Sequence, residues 1–96
     1  MIGVESLLES REVLYFVKMT GCVACAAAAP EIEKFMQKHP ELMVLTLDAD
    51  GPLVSKLGVK IKATPTYIFR MGDSGVTRSG AMKCTEIEKW IRGARL

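Results

Sequence analysis

Aromatic residues are scarce in this chain of 96 residues, at 6%, and cysteine is scarcer, with three in all. So small and odd a number excludes the disulfide scaffold of a small secreted module. An excess of one charge is missing too: 13 Lys and Arg face 11 Asp and Glu, a formal +2, which excludes a strongly basic nucleic-acid module. The longest strongly apolar run, Val13 to Val17, falls far short of the roughly 18 to 20 residues that a membrane-spanning helix needs. Glu5, Glu9 and Arg11 interrupt the apolar character of the first residues and no small-residue cleavage site follows, so no secretory leader is expected there and cytoplasm is the expected compartment. Repeats, linkers and low-complexity tracts are absent apart from the helix-favouring Ala26 to Ala29. What remains is 49% apolar and 25% charged residues, the balance of a globular chain, in a length that fits one domain over 1–96.

Apolar periodicity divides the chain. Val4, Leu7 and Leu8 predict a short amphipathic helix to about Ser10 that covers one sheet face. Val13 to Met19 reads as a strand buried on both faces, ended by Gly21. From Val23 to Lys38 the pattern becomes helical, with Ala28, Ile32, Phe35 and Met36 on one stripe and Pro30 predicted to kink the helix. Leu42 to Leu47 reads as a second buried strand, and Pro52 to Leu57 as a short helix capped by Gly58. Thr66 to Met71, a turn at Gly72-Asp73-Ser74-Gly75 and Val76 to Ser79 make an antiparallel hairpin. Thr85 with Glu88 reads as a capping box for a last helix carrying Ile87, Trp90, Ile91 and Ala94. Strand, helix and strand in succession imply a parallel pair, and the class is α/β.

Cys22 and Cys25 enclose Val23 and Ala24 at the predicted mouth of the first long helix, while Cys84 stands far along the chain. Unpaired N–H groups and the helix dipole favour a thiolate at Cys22, the nucleophile of such a pair. Cys25 falls on the apolar stripe, one turn on, where its sulfur can resolve a mixed disulfide. Four-thiolate zinc sites use the same spacing, but the other ligand candidates are Cys84 and the single His39. Redox chemistry is therefore favoured over metal binding, and no metal or other cofactor is expected.

Between Val13 and Ile91 the chain resembles the thioredoxin family. The features that carry the likeness are the apolar strand, Cys22-Val23-Ala24-Cys25, Pro30 beyond the second cysteine, Thr64-Pro65-Thr66 opening the third strand, the hairpin, and Gly80 before the last helix. The resemblance implies a thioredoxin fold: a central four-stranded mixed sheet flanked by helices, with the usual N-terminal strand short or absent. It also implies a cis bond before Pro65 and a groove for substrate made by Gly21, Val23, Ala24, Thr64 and Pro65. The implied activity is thiol–disulfide oxidoreduction of protein disulfides by a monomer, re-reduced by a thioredoxin reductase or glutathione. A glutathione-dependent glutaredoxin-like protein and a binding subunit with incidental redox chemistry are the alternatives.

Several positions depart from the family pattern. The usual Trp-Cys-Gly-Pro-Cys is here Gly21-Cys22-Val23-Ala24-Cys25, and the buried Asp and Lys that serve the second cysteine are matched by Phe16 and Val44. Lys18 replaces a Trp that bonds an Asp matching Asp48, so a Lys18–Asp48 ion pair beneath the site, lowering the Cys22 pKa, is expected. Cys84 reads as a small buried residue, His39 as a helix-end residue, Trp90 as core, and Lys60 with Lys62 as exposed charges beside the Thr64-Pro65 loop.

Overall fold

The densest apolar run becomes the middle of the sheet. In the computed structural model, which describes residues 12–96, β1 (Glu12–Lys18) lies between β2 (Met43–Asp48) and β3 (Thr66–Met71). β1 pairs parallel with β2, with Lys18 opposite Asp48, and antiparallel with β3, with Val17 opposite Thr66. β3 pairs antiparallel with β4 (Ser74–Ser79), so the sheet has four strands of mixed direction in the order β2-β1-β3-β4. The helix predicted over Val4 to Ser10 and the N-terminal strand question lie outside the described residues.

Three helices connect and cover the strands: α1 (Val23–Lys38), α2 (Pro52–Lys56) and α3 (Cys84–Ala94). Strand residues alternate between faces, so Leu14, Phe16, Tyr67 and Phe69 share one side, where Ala28, Ile32 and Phe35 of α1 and Ile87 and Ile91 of α3 pack on them. Val17 and Ile68 face the other way, against Val54 of α2 and the partly buried Val59 and Ile61. The result is a sheet between two helical layers. Each fully buried side chain of this size contributes on the order of 1.5–3 kcal/mol of transfer free energy.

Several local expectations are corrected. β2 is not buried on both faces: Met43 and Leu45 are exposed, because among the described residues β1 is its one neighbour. Met36 is exposed at the margin of the α1 stripe. α3 starts at Cys84 after an N-cap at Lys83, whose backbone N–H donates to Glu86 Oε1 at 3.1 Å. Thr85 is thus inside the helix, and the Glu88 carboxylate turns to His39 and Lys38 instead. The hairpin turn is tighter than predicted, since Ser74 already pairs with Met71. α1 runs continuously through Pro30.

Candidate active site

β1 delivers the chain to the site through a turn. The Cys22 N–H donates to the Met19 carbonyl at 3.2 Å, and Gly21 within this turn has φ +82°. Nothing crowds a side chain there, so it is the left-handed backbone that favours glycine, at a cost of roughly 1–2 kcal/mol for other residues.

Cys22 is the N-cap of α1. Its backbone is extended, its carbonyl accepts the Ala26 N–H at 3.1 Å, and its Sγ accepts the Cys25 N–H at 3.1 Å. The sulfur thus takes the place that Ser or Asp fills at other helix starts. No acidic residue stands in the first turn to compete with negative charge on it. Val23 is 85% exposed and Ala24 is exposed, whereas Cys25, one turn on, is 4% exposed. The two sulfurs are joined in a disulfide, with Cα atoms 5.2 Å apart.

A second loop closes on the pair. The Thr64–Pro65 bond is cis, Pro65 is fully buried, and the Thr64 carbonyl oxygen lies 3.5 Å from Cys22 Sγ, within reach of its S–H when the pair is reduced. Thr66 holds this loop: its hydroxyl donates to the Ala63 carbonyl at 2.6 Å and lies 3.1 Å from Ser79 Oγ. A third loop joins through the Gly80 N–H, which donates to the Pro65 carbonyl at 2.9 Å. Two residues on, the Met82 N–H donates to the phenol oxygen of Tyr67 at 3.2 Å. Thr66 is marked in the sequence only as part of Thr64-Pro65-Thr66, and Tyr67 and Ser79 only as strand residues. The Thr66–Ser79 and Tyr67–Met82 hydrogen bonds join residues far apart in the chain, and nothing local in the sequence marks them.

Lys18 and Asp48 do meet, at 3.2 Å, with their side chains 43% and 59% exposed. Phe16 lies in the main core and Val44 packs against it, with the Phe16 ring 5.3 Å from that of Tyr67. The positions matched to the family's acid and base are therefore apolar in their surroundings as well as in their chemistry. His39 caps the far end of α1 and Cys84 is buried at the start of α3. Trp90 is only partly buried, edge-on to Tyr67 and Phe69. Among the described residues no three His, Cys, Asp or Glu side chains gather as a metal site.

The helix that carries the cysteines is tied to α3 by two carboxylates. Glu31 Oε1 accepts the Cys84 N–H at 2.9 Å while its Oε2 takes Lys34 at 3.1 Å. Glu88 bonds His39 at 2.7 Å and Lys38 at 3.4 Å. The Cys84 N–H and then Lys34 hold the Glu31 carboxyl below its ordinary pKa of 4.5, and His39 and then Lys38 do the same for Glu88.

The thioredoxin family model matches residues 5–93. The chain belongs to the thioredoxin family. Among curated relatives, rice (Oryza sativa subsp. japonica) thioredoxin H4-2 is 30% identical over 71 residues, which are 74% of this chain and 54% of that protein. The chain spans about half the length of the curated relatives it matches. Fasciola hepatica thioredoxin shares the fold with a TM-score of 0.75 at 24% identity, over 93% of this chain and 88% of that one. Short-form spinach chloroplast thioredoxin f does so with a TM-score of 0.71 at 26% identity, over 91% and 79%. The four-stranded mixed sheet flanked by helices is thus a thioredoxin fold. A thioredoxin-family chain with Cys22 and Cys25 bonded at the mouth of α1 supports thiol–disulfide oxidoreductase chemistry.

Proposed function

We propose that this chain reduces disulfides in proteins by dithiol exchange. The observation that carries the reading is the asymmetry of the two sulfurs: Cys22 is partly exposed with a backbone N–H aimed at its Sγ, and Cys25 is buried behind it. The reduced Cys22 thiolate attacks one sulfur of the substrate disulfide, breaking the S–S bond and releasing one substrate thiolate into solvent. Cys25 then attacks Cys22 Sγ in the mixed disulfide, and the second substrate sulfur leaves as a thiol with the proton that Cys25 gives up. The substrate gains two electrons, and the Cys22–Cys25 pair loses them. No cofactor enters these steps. A reductant of the thioredoxin reductase or glutathione class restores the dithiol, in a reducing compartment such as cytoplasm.

Gly21, Val23 and Ala24 on one side and Thr64 and Pro65 on the other form the groove for the substrate chain, with the Thr64 backbone as its pairing partner. Lys18, held by Asp48, supports the Cys22 thiolate from the end of β1. The protein acts as a monomer. Equilibration of the Cys22–Cys25 pair against a glutathione buffer, with trapped thiols mapped so that Cys84 is counted apart, tests the reading. A potential at or below the cytosolic glutathione poise, roughly −220 to −320 mV, is the expected result. A potential well above that poise makes the chain an oxidant or isomerase, and failure to form the disulfide points to a binding or metal role.

A further inference from the structure

The charges on the chain leading to the Thr64–Pro65 loop, at the substrate end of the sheet, are of one sign. β1 and β2 finish there with Lys18 opposite Asp48, and β3 begins there with Thr66 opposite Ser79. The connecting segments add Asp50, Lys60 and Lys62. Asp48 is engaged by Lys18, which leaves Asp50 against Lys60 and Lys62. From Gly51 to Gly72 every charged residue is basic: Lys56, Lys60, Lys62 and Arg70.

Lys60 and Lys62 are held outward. They alternate with Val59 and Ile61, whose side chains pack against Val17, Val54 and Ile68, while both lysines are exposed. This two-residue alternation is that of extended chain, which places the lysines on one side about 7 Å apart. Neither belongs to any ion pair among the described residues. Lys62 stands two residues before Thr64, at most about 7 Å along the chain from the carbonyl that faces Cys22 Sγ. Lys62 thus stands on the approach to the groove, and Lys60 one two-residue repeat further from it, beside Val59, which lines a cavity with Arg70 and Asp73.

We propose that Lys60 and Lys62 select polypeptide disulfides flanked by carboxylates, an acidic residue of the substrate lying over each lysine as its backbone aligns beside Thr64. This rests on the reading that the chain reduces protein disulfides. An extended acidic segment matches the lysine spacing, because its own alternate side chains repeat at the same interval. Uncancelled charge beside a groove raises the encounter rate of opposite charge and repels like charge, in a salt-dependent way. Asp50, in the turn after β2, and Asp73, which shares a cavity wall with Val59, oppose the effect.

The test uses the full chain and three synthetic peptides that differ only in having Glu, Gln or Lys on both sides of one disulfide, with glutathione disulfide as a fourth substrate. At low ionic strength the Glu peptide is reduced at least about tenfold faster, as kcat/KM, than the Lys peptide. The difference shrinks in molar salt and in a Lys60→Gln, Lys62→Gln variant, and reverses in Lys60→Glu, Lys62→Glu, while reduction of the Gln peptide stays as it was. Equal rates for the three peptides, or a preference that survives both variants, overturn the selection by these lysines. Glutathione disulfide reduced in preference to every peptide overturns it in favour of a small-molecule substrate. Loss of reduction of all four substrates refutes the reductase reading itself, an outcome distinct from equal rates.

Discussion

Replacing Tyr67 by Phe removes one oxygen and keeps the ring, which isolates a single hydrogen bond. Tyr67 is 0% exposed and Met82, whose N–H it receives at 3.2 Å, is 2% exposed. The ring contacts to Phe16 at 5.3 Å and Trp90 at 6.3 Å do not involve the hydroxyl, so the apolar burial is retained. The change therefore leaves a buried amide N–H with no acceptor, a loss of about 1–3 kcal/mol. For a domain of this size that lowers the thermal midpoint by on the order of 10 °C. Thermal unfolding of the oxidised protein followed by circular dichroism reads the shift, and urea unfolding gives the free energy. Because Gly80 and Met82 are the two anchors of the third loop, peptide disulfide reduction slows as well. A midpoint change below about 2 °C would refute the reasoning, since it would mean that the loop relaxes and finds another acceptor. An alkaline limb adds a second check. Burial raises the Tyr67 pKa above its ordinary 10.0, so the stability linked to its neutral form is complete below pH 10.0 and is lost as pH rises through the raised value. The Phe variant lacks this part of the alkaline loss.

Two further predictions concern charge. Arg95 lowers the Glu12 pKa, the Cys84 N–H and Lys34 lower that of Glu31, and His39 and Lys38 lower that of Glu88, each from 4.5. Groups with depressed folded pKa values contribute stability that is complete above the unfolded value, so urea midpoints hold above pH 4.5 and fall as pH drops through the lower folded values. Glu31→Gln keeps the acceptor for Cys84, loses the charge, and makes the acid decline shallower. The Lys18–Asp48 pair is exposed on both sides, so Lys18→Met lowers stability by at most about 1 kcal/mol. The same variant raises the Cys22 pKa read from thiolate absorbance, and an unchanged Cys22 pKa removes Lys18 from the site.

Local chemistry made most of the fold legible. The change from β-branched and aromatic residues in Val13 to Val17 to helical spacing after Val23 located the β1–α1 junction, and that junction is the site. The placement of Cys25 on the apolar stripe predicted its burial, and Thr64-Pro65-Thr66 marked the facing loop. What was not legible depends on partners distant in sequence. An apolar run such as Leu42 to Leu47 does not say whether a strand has neighbours on both sides, which is how an exposed Met43 and Leu45 read as buried. Thr85 and Glu88 have the spacing of a cap, but His39 and Lys38 draw Glu88 across the helix pair and Glu86 serves Lys83 instead. The Glu31 bond to Cys84 and the Tyr67 bond to Met82 likewise exist only once the helices and strands have packed.

The central claim is that Cys22 attacks substrate disulfides and Cys25 resolves the product. Cys25→Ser removes the resolving sulfur, so incubating the reduced variant with a disulfide peptide should accumulate a mixed disulfide. Mass spectrometry of the digested protein then locates the adduct. The account predicts the peptide on Cys22, with Cys84 still a free thiol and the adduct abolished in Cys22→Ser, Cys25→Ser. An adduct on Cys84, or none at all, would contradict it.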